Sequence, residues 1–233
     1  MDEECDVMEE SLFLELENKD ILESDYYDFL LQKNLFSTSP QVSTRELFSF
    51  CKDSDFFRDK LNHFRTEYIY PSEMHGIFHN IRVAMLSYYI SVHLGLSLEE
   101  QELMIDASFY HDTGRINDID DILHGNRSAN KIDEIILDKD EKFRDVLKIV
   151  ITCHSHEDKE MDKLIQNSEL DFESTKLLAC ILKDTDALDR IRFDGLDPSY
   201  LRLDISKSLL NASAGLFFTS EAFRDRKKDS VPE

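Results

Sequence analysis

Six of the chain's eight histidines, His75, His79, His111, His124, His154 and His156, stand among acids and bases at spacings that allow joint action. His75 and His79 are four positions apart, and Arg82 follows three positions later, so one helix would present all three on one face. His111 and Asp112 are adjacent at the end of the apolar run Ala107-Ser108-Phe109-Tyr110. At a helix end, two adjacent side chains can converge on one cation. Further along, Lys183, Asp186 and Arg190 share a helical face. Imidazole with carboxylate is the ligand set of divalent Mn, Fe, Co, Ni and Zn. Such an ion lowers the pKa of bound water from about 15.7 toward 7 and neutralises charge on a phosphoryl oxygen. Taken singly, each histidine is more often a surface or core polar residue than a ligand; the arrangement is what points to a metal.

The elements that must position these groups read as helices. Only six glycines and four prolines punctuate 233 residues, and no alternating strand pattern persists, so the expected class is all-α. A helix is expected to open at Pro71-Ser72-Glu73 and end before Gly95. Ser97 with Glu100 three residues on forms a capping box for a helix over about 98–112. Gly114, Asn117 and Gly125 mark a loop over 113–125, and helices are expected over 126–137, 141–156, 173–190 and 199–218. Upstream, Thr44 resembles a helix start, and Phe48, Cys51, Phe56, Phe57, Leu61 and Phe64 suggest packed helices to about 66. Residues 1–36 hold 12 acids and 2 bases interspersed with Leu12, Leu16, Leu22, Tyr26, Phe29 and Leu30, the pattern of two short amphipathic helices.

The ordered set His79, His111-Asp112, Asp186 resembles the H…HD…D signature of the HD-domain phosphohydrolase superfamily. His75-Gly76-Ile77-Phe78-His79 with Arg82-Val83 is similar to its HGxxHxxRV helix. The run from Phe109 through His111-Asp112-Thr113-Gly114-Arg115 to Asn117-Asp118 resembles its second motif. His124-Gly125 with Ser128-Ala129, and Asp186-Ala187-Leu188-Asp189-Arg190, resemble the HGxxSA and closing DAxDR segments. The resemblance spans about residues 70–205 and implies a helical bundle around a metal. Carried over residue by residue, it implies that His79, His111, Asp112 and Asp186 hold a divalent ion (Mn, Fe, Co, Ni, Zn or Mg). His124 and His154 would hold a second ion or touch phosphate. It further implies Asp112, Lys183 and Arg115 in catalysis, and Arg82, Arg127, Arg190 and His75 on a phosphorylated substrate, a nucleotide or cyclic nucleotide by expectation. Lys131 and Arg192 also lie beside these motifs. Pairing of all these bases with the many neighbouring acids stays open. Two rivals remain: a di-iron oxygenase of the same fold, and a non-catalytic regulator that binds a nucleotide or partner.

The expected organisation is an acidic helical extension over 1–66, a catalytic core over 67–220 and a polar tail over 221–233. The extension could serve self-association or a partner. A formal charge of −22 argues against non-specific nucleic-acid binding and against docking on an anionic membrane face. No apolar run approaches the roughly 18 residues of a membrane span. The acidic Met1-Asp2-Glu3-Glu4 start is unlike a signal peptide. Four widely spaced cysteines are expected as reduced thiols, so a cytoplasmic setting is expected. No Gly-rich phosphate loop occurs.

Overall fold

The computed structural model describes residues 40–193 and 195–229, with side chains to residue 220. The helices expected over 1–36 lie outside the described residues, and of the tail expected over 221–233 only the helical backbone to residue 229 is described. Among the described residues every regular element is a helix, as the glycine and proline scarcity predicts. The α-helices are α1 (Thr44–Lys52), α2 (Asp55–Asn62), α3 (Ile77–His93), α4 (Leu98–Tyr110), α5 (His124–Ala129), α6 (Ile132–Ile135), α7 (Glu141–His154), α8 (Asp158–Gln166), α9 (Phe172–Asp189), α10 (Asp204–Lys207) and α11 (Leu210–Asp229). Short 3-10 turns occupy Thr66–Tyr68, Arg190–Phe193 and Pro198–Tyr200.

The bundle is organised around α3. Every residue from His79 to Ser91 is buried, so this helix carries no solvent face and is wrapped by α1, α4, α9 and α11. Leu86, Ile90, Met104, Ile105 and Leu182 fill the space between them. Leu47, Phe48, Cys51, Phe57 and Leu61 belong to the same core, so α1 and α2 pack into the bundle. The boundaries follow local chemistry. Ser43, Ser54, Asp140 and Asp171 each accept a backbone N–H at a helix start, and Ser97 with Glu100 completes the expected capping box. At the end of α3, Gly95 adopts φ 71°, and Leu96 N–H donates to Ser91 O at 3.0 Å while Gly95 N–H donates to Val92 O at 3.0 Å. That double closure needs the left-handed conformation glycine tolerates best.

Some boundaries differ from expectation. The helix expected from Pro71 begins only at Ile77, because Ser72 Oγ accepts the backbone N–H groups of Met74 and His75 and holds a turn there. His75 therefore lies before the helix. The stretch 126–137 breaks into α5 and α6, and 199–218 becomes α10 and α11. Helix α8 was not anticipated; its buried residues are Met161 and Ile165, one turn apart in an otherwise charged segment. No helix among the described residues is long and apolar enough to cross a membrane. Cys51, Cys153 and Cys180 are unpaired thiols.

Candidate metal centre

The chemistry-bearing residues converge where helices begin or end. His79 sits in the first turn of α3, His111 caps the end of α4 with Asp112 just beyond it, His154 ends α7 and Asp186 lies in the last turn of α9. His79 Nε2 lies 3.1 Å from His111 Nε2, 3.6 Å from Asp112 Oδ2 and 3.4 Å from Asp186 Oδ1. His111 Nε2 is 3.7 Å from Asp112 Oδ2 and 3.9 Å from Asp186 Oδ1. On the other side of Asp112, its Oδ1 lies 3.1 Å from His124 Nε2 and 3.7 Å from His154 Nε2, and those two nitrogens are 2.7 Å apart. His79, His111 and Asp186 form one group able to hold an ion, and His111, Asp112 and His154 form another.

These residues fit a cation, and the reason lies in the tautomers. His111 Nδ1 is 2.8 Å from Ser108 O, His124 Nδ1 contacts Asp121 O, and His154 Nδ1 contacts Ile151 O. A carbonyl can only accept, so each Nδ1 carries the hydrogen and Nε2 is the ring atom left to ligate at the centre. His79 Nδ1 faces Asp189 Oδ2 at 2.8 Å with the same result. Burial pushes His79 down to about 3 and His154 to about 4, which keeps both rings neutral. Two facing pairs of lone pairs repel unless a cation lies between them. Ligand bonds of about 2.0–2.2 Å place neighbouring donors about 3 Å apart, close to the separations observed. Both Asp112 oxygens are buried without a hydrogen-bond partner. Burial raises the Asp186 carboxyl, and the charge of the Arg192 guanidinium lowers it.

Residues 76–191 match the family model of the HD domain. The chain belongs to the HD-domain superfamily. No curated protein and no solved structure shows a significant match. HD domains bind divalent metals, and the donor cluster described above lies within the matched residues.

Behind the HD cluster, the arginines and lysines divide into those already engaged and those facing it. Arg82 was expected on substrate. It is buried, with Nε and Nη2 donating to Asp189 at 2.6 and 2.8 Å and Nη1 donating to Ser220 Oγ at 2.7 Å. Its guanidinium therefore holds the carboxylate that holds His79. Lys183, expected in catalysis, points toward α7: Nζ donates to Cys153 O at 3.3 Å and to His156 O, with Asp158 at 3.5 Å. It fixes the segment around His154. Arg127 pairs with Asp121 and donates to Gly114 O at 2.8 Å. Lys131 donates to Thr113 O. Arg190 caps α9 and is exposed.

Arg115 stays with the site, its Nε 2.9 Å from Asp112 Oδ2. His75 stands beside it, its Nδ1 2.9 Å from Asp118 Oδ1 and its ring 6.0 Å from that of His79. His156 turns away to Asn126 at 3.0 Å. Sequence reasoning gave Asp189 no role and named Arg192 only among the bases beside the motifs. Asp189 is the common acceptor for His79, Arg82 and Arg192, and its spacing of three from Asp186 was the available signal. Arg192 donates to Asp189 at 3.1 Å, stacks over Phe193 at 4.2 Å, keeps a buried, unpartnered Nε, and its charge acts on Asp186.

The glycine of the second motif has a spatial reason. A Cβ on Gly114 would lie 2.3 Å from Ser128 N and 2.5 Å from His124 O. Only glycine lets α5 approach closely enough to bring His124 to Asp112.

Proposed function

We propose that this HD domain hydrolyses a phosphate ester or phosphodiester in a small molecule, using a water activated by one or two divalent ions. The observation that carries the reading is the two facing pairs of Nε2 atoms on either side of buried Asp112. His79, His111, Asp112 and Asp186 would hold the first ion, and Asp112 with His124 and His154 would hold a second. Bound there, a divalent ion supplies hydroxide at neutral pH and neutralises developing charge on phosphoryl oxygens.

The chain's own groups do the rest. Asp189 and the three carbonyls keep each imidazole in one tautomer and one orientation. Arg115 and Arg192 offer guanidinium N–H groups suited to bidentate phosphate contact. Asp186, with a side chain 28% exposed beside fully buried His79 and His111, marks the side from which substrate arrives. Nucleotides and cyclic nucleotides are within the expected substrate range, and the free thiols support a cytoplasmic setting.

The test is a phosphate-release screen of phosphomonoesters and diesters with Mn, Co, Ni, Zn, Mg or Fe. Metal-dependent release that His111→Ala and Asp112→Ala abolish is expected. Oxygen consumption by iron-loaded protein without phosphate release would replace hydrolysis with oxygenase chemistry.

A further inference from the structure

Six of the ten exposed large apolar side chains among the described residues belong to segments that adjoin the metal cluster. Met74 is 39% exposed, Ile116 and Ile119 69% each, Ile122 53%, Leu123 55% and Phe193 37%. The other four are Leu94, Leu98, Leu137 and Tyr200. The positions of the first group are fixed by the site. Met74 precedes His75, Leu123 precedes His124, and Ile116 follows Arg115. The Phe193 ring lies 5.6 Å from His75, and Ser155, next to His154, donates to Ile122 O at 2.9 Å.

Between these aliphatics the loop over 115–123 spends most of its polar groups on itself and its supports. Asn117 Oδ1 accepts from Ile119 N–H at 3.3 Å, and Asp118 takes Ser72 Oγ at 2.5 Å and faces His75. Asp121 accepts from Leu123 N–H at 3.1 Å and pairs with Arg127. Apart from Arg115, the side chains left for a ligand are the aliphatics Ile116, Ile119, Ile122 and Leu123, the Asp120 carboxyl and the NH2 group of Asn117. A nucleobase set against the four aliphatics would lose hydration from its polar edge and regain few partners, the Asp120 carboxylate and the Asn117 NH2. An alkyl or prenyl group would lose nothing, and clustered exposed aliphatics are a mark of ligand contact.

We infer that the organic part of the substrate is apolar: the site takes a phosphate ester of a long-chain alcohol, with the phosphate at the metal cluster and the chain along Ile116, Ile119, Ile122 and Phe193. This inference rests on the proposed hydrolysis for its chemistry and on the loop for its selectivity.

The experiment pairs non-hydrolysable alkylphosphonates from ethyl to octyl, titrated into the Mn-loaded full chain by calorimetry, with turnover of the matching alkyl phosphates. Full burial of a methylene is worth about four-fold and a one-sided surface about half of that free energy, so affinity should rise about two-fold per methylene. Ile116→Asn with Ile119→Asn should flatten that slope, and Ile119→Val should keep it. Because these side chains face solvent, circular dichroism should show both proteins folded. Affinity independent of chain length overturns the inference, as does a nucleoside phosphonate that binds more tightly than octylphosphonate. A rising slope without phosphate release from any ester upholds the apolar preference and refutes the hydrolysis.

Discussion

Replacing Asp189 with Asn tests the reasoning at its most connected point. The carboxylate is fully buried and accepts from Arg82 at 2.6 and 2.8 Å, from His79 at 2.8 Å and from Arg192 at 3.1 Å. An amide of the same shape has one accepting oxygen and turns an NH2 group toward donors. It also leaves two buried guanidinium groups without their anion. Breaking a buried pair by removing one partner costs about 3–5 kcal/mol, a large share of the roughly 5–15 kcal/mol by which a domain is stable. Loss of the group that orients a ligating histidine weakens metal binding about 10–100-fold.

The pH dependence adds a second readout. Burial raises the Asp189 carboxyl, but Arg82, His79 and Arg192 outweigh it and hold its folded pKa far below the unfolded value of about 4. A depressed folded pKa means stability that is present above about pH 4 and is lost as pH falls through and below it. Asn cannot titrate, so the gap between wild type and Asp189→Asn should be widest near pH 7 and shrink toward pH 3. Urea unfolding across that range and Mn titration calorimetry at pH 7 measure both effects. A cost under about 1 kcal/mol at pH 7 with unchanged Mn affinity would refute the placement of Asp189 as the support of His79.

Gly114→Ala would put a Cβ 2.3 Å from Ser128 N and 2.7 Å from the Arg127 carbonyl carbon, so α5 must move. Expected are a loss of about 1–3 kcal/mol in urea and a lower metal-to-protein ratio by plasma mass spectrometry. Lys183→Met removes the tie to Cys153 O and His156 O without touching the donor cluster. Turnover should fall by about ten-fold or less, against the 10²–10⁴ typical of a lost general acid or base, and a steady-state assay with the metal content matched distinguishes the two. Asp106→Asn probes a buried carboxyl that desolvation raises to about 6 despite Lys60 at 2.6 Å. A raised folded pKa gives stability that is full below about pH 4 and lost as pH rises through 6. Asp106→Asn should therefore gain about 2 kcal/mol on wild type between pH 4 and pH 8, which thermal melts at both pH values would detect.

Helix ends were legible where one residue decides them. Ser97 with Glu100 and the left-handed Gly95 act through neighbouring atoms, and both stand where sequence reasoning put them. The start of α3 was not legible, because Ser72 can either cap a helix or close a turn and the pairing of Asp118 with His75 across the loop favours the turn. The donor cluster was approached through ordered motifs, and the structure brings His79, His111, Asp112 and Asp186 within reach of one another. The basic residues were the opaque part. Arg82 and Lys183 have the type and spacing of phosphate ligands, yet each is engaged by a buried acceptor from a distant element: Asp189 for Arg82, and the end of α7 for Lys183. An acceptor 107 positions away for Arg82, or 27 and 30 positions away for Lys183, leaves no local trace in sequence.

The helix termini explain why this site selects a cation at its centre and must recruit anions from its edge. His111 and His154 each donate Nδ1–H to the carbonyl three residues earlier in the last turn of their helix, and His124 does the same to Asp121 in the turn before α5. Last-turn carbonyls lack helical partners, so the histidine satisfies an orphan acceptor and fixes its own tautomer in one contact. The ends of α4, α7 and α9 also carry partial negative charge, and all three meet around Asp112 and Asp186. A phosphate brought alone to such a centre would face bare lone pairs, carboxylates and negative helix ends. Its attraction has to come from bound metal and from Arg115 and Arg192, the guanidinium groups that border the cluster. Substrate binding should therefore follow metal binding. A phosphonate that binds metal-free protein as tightly as Mn-loaded protein would show that the negative helix ends do not set this order.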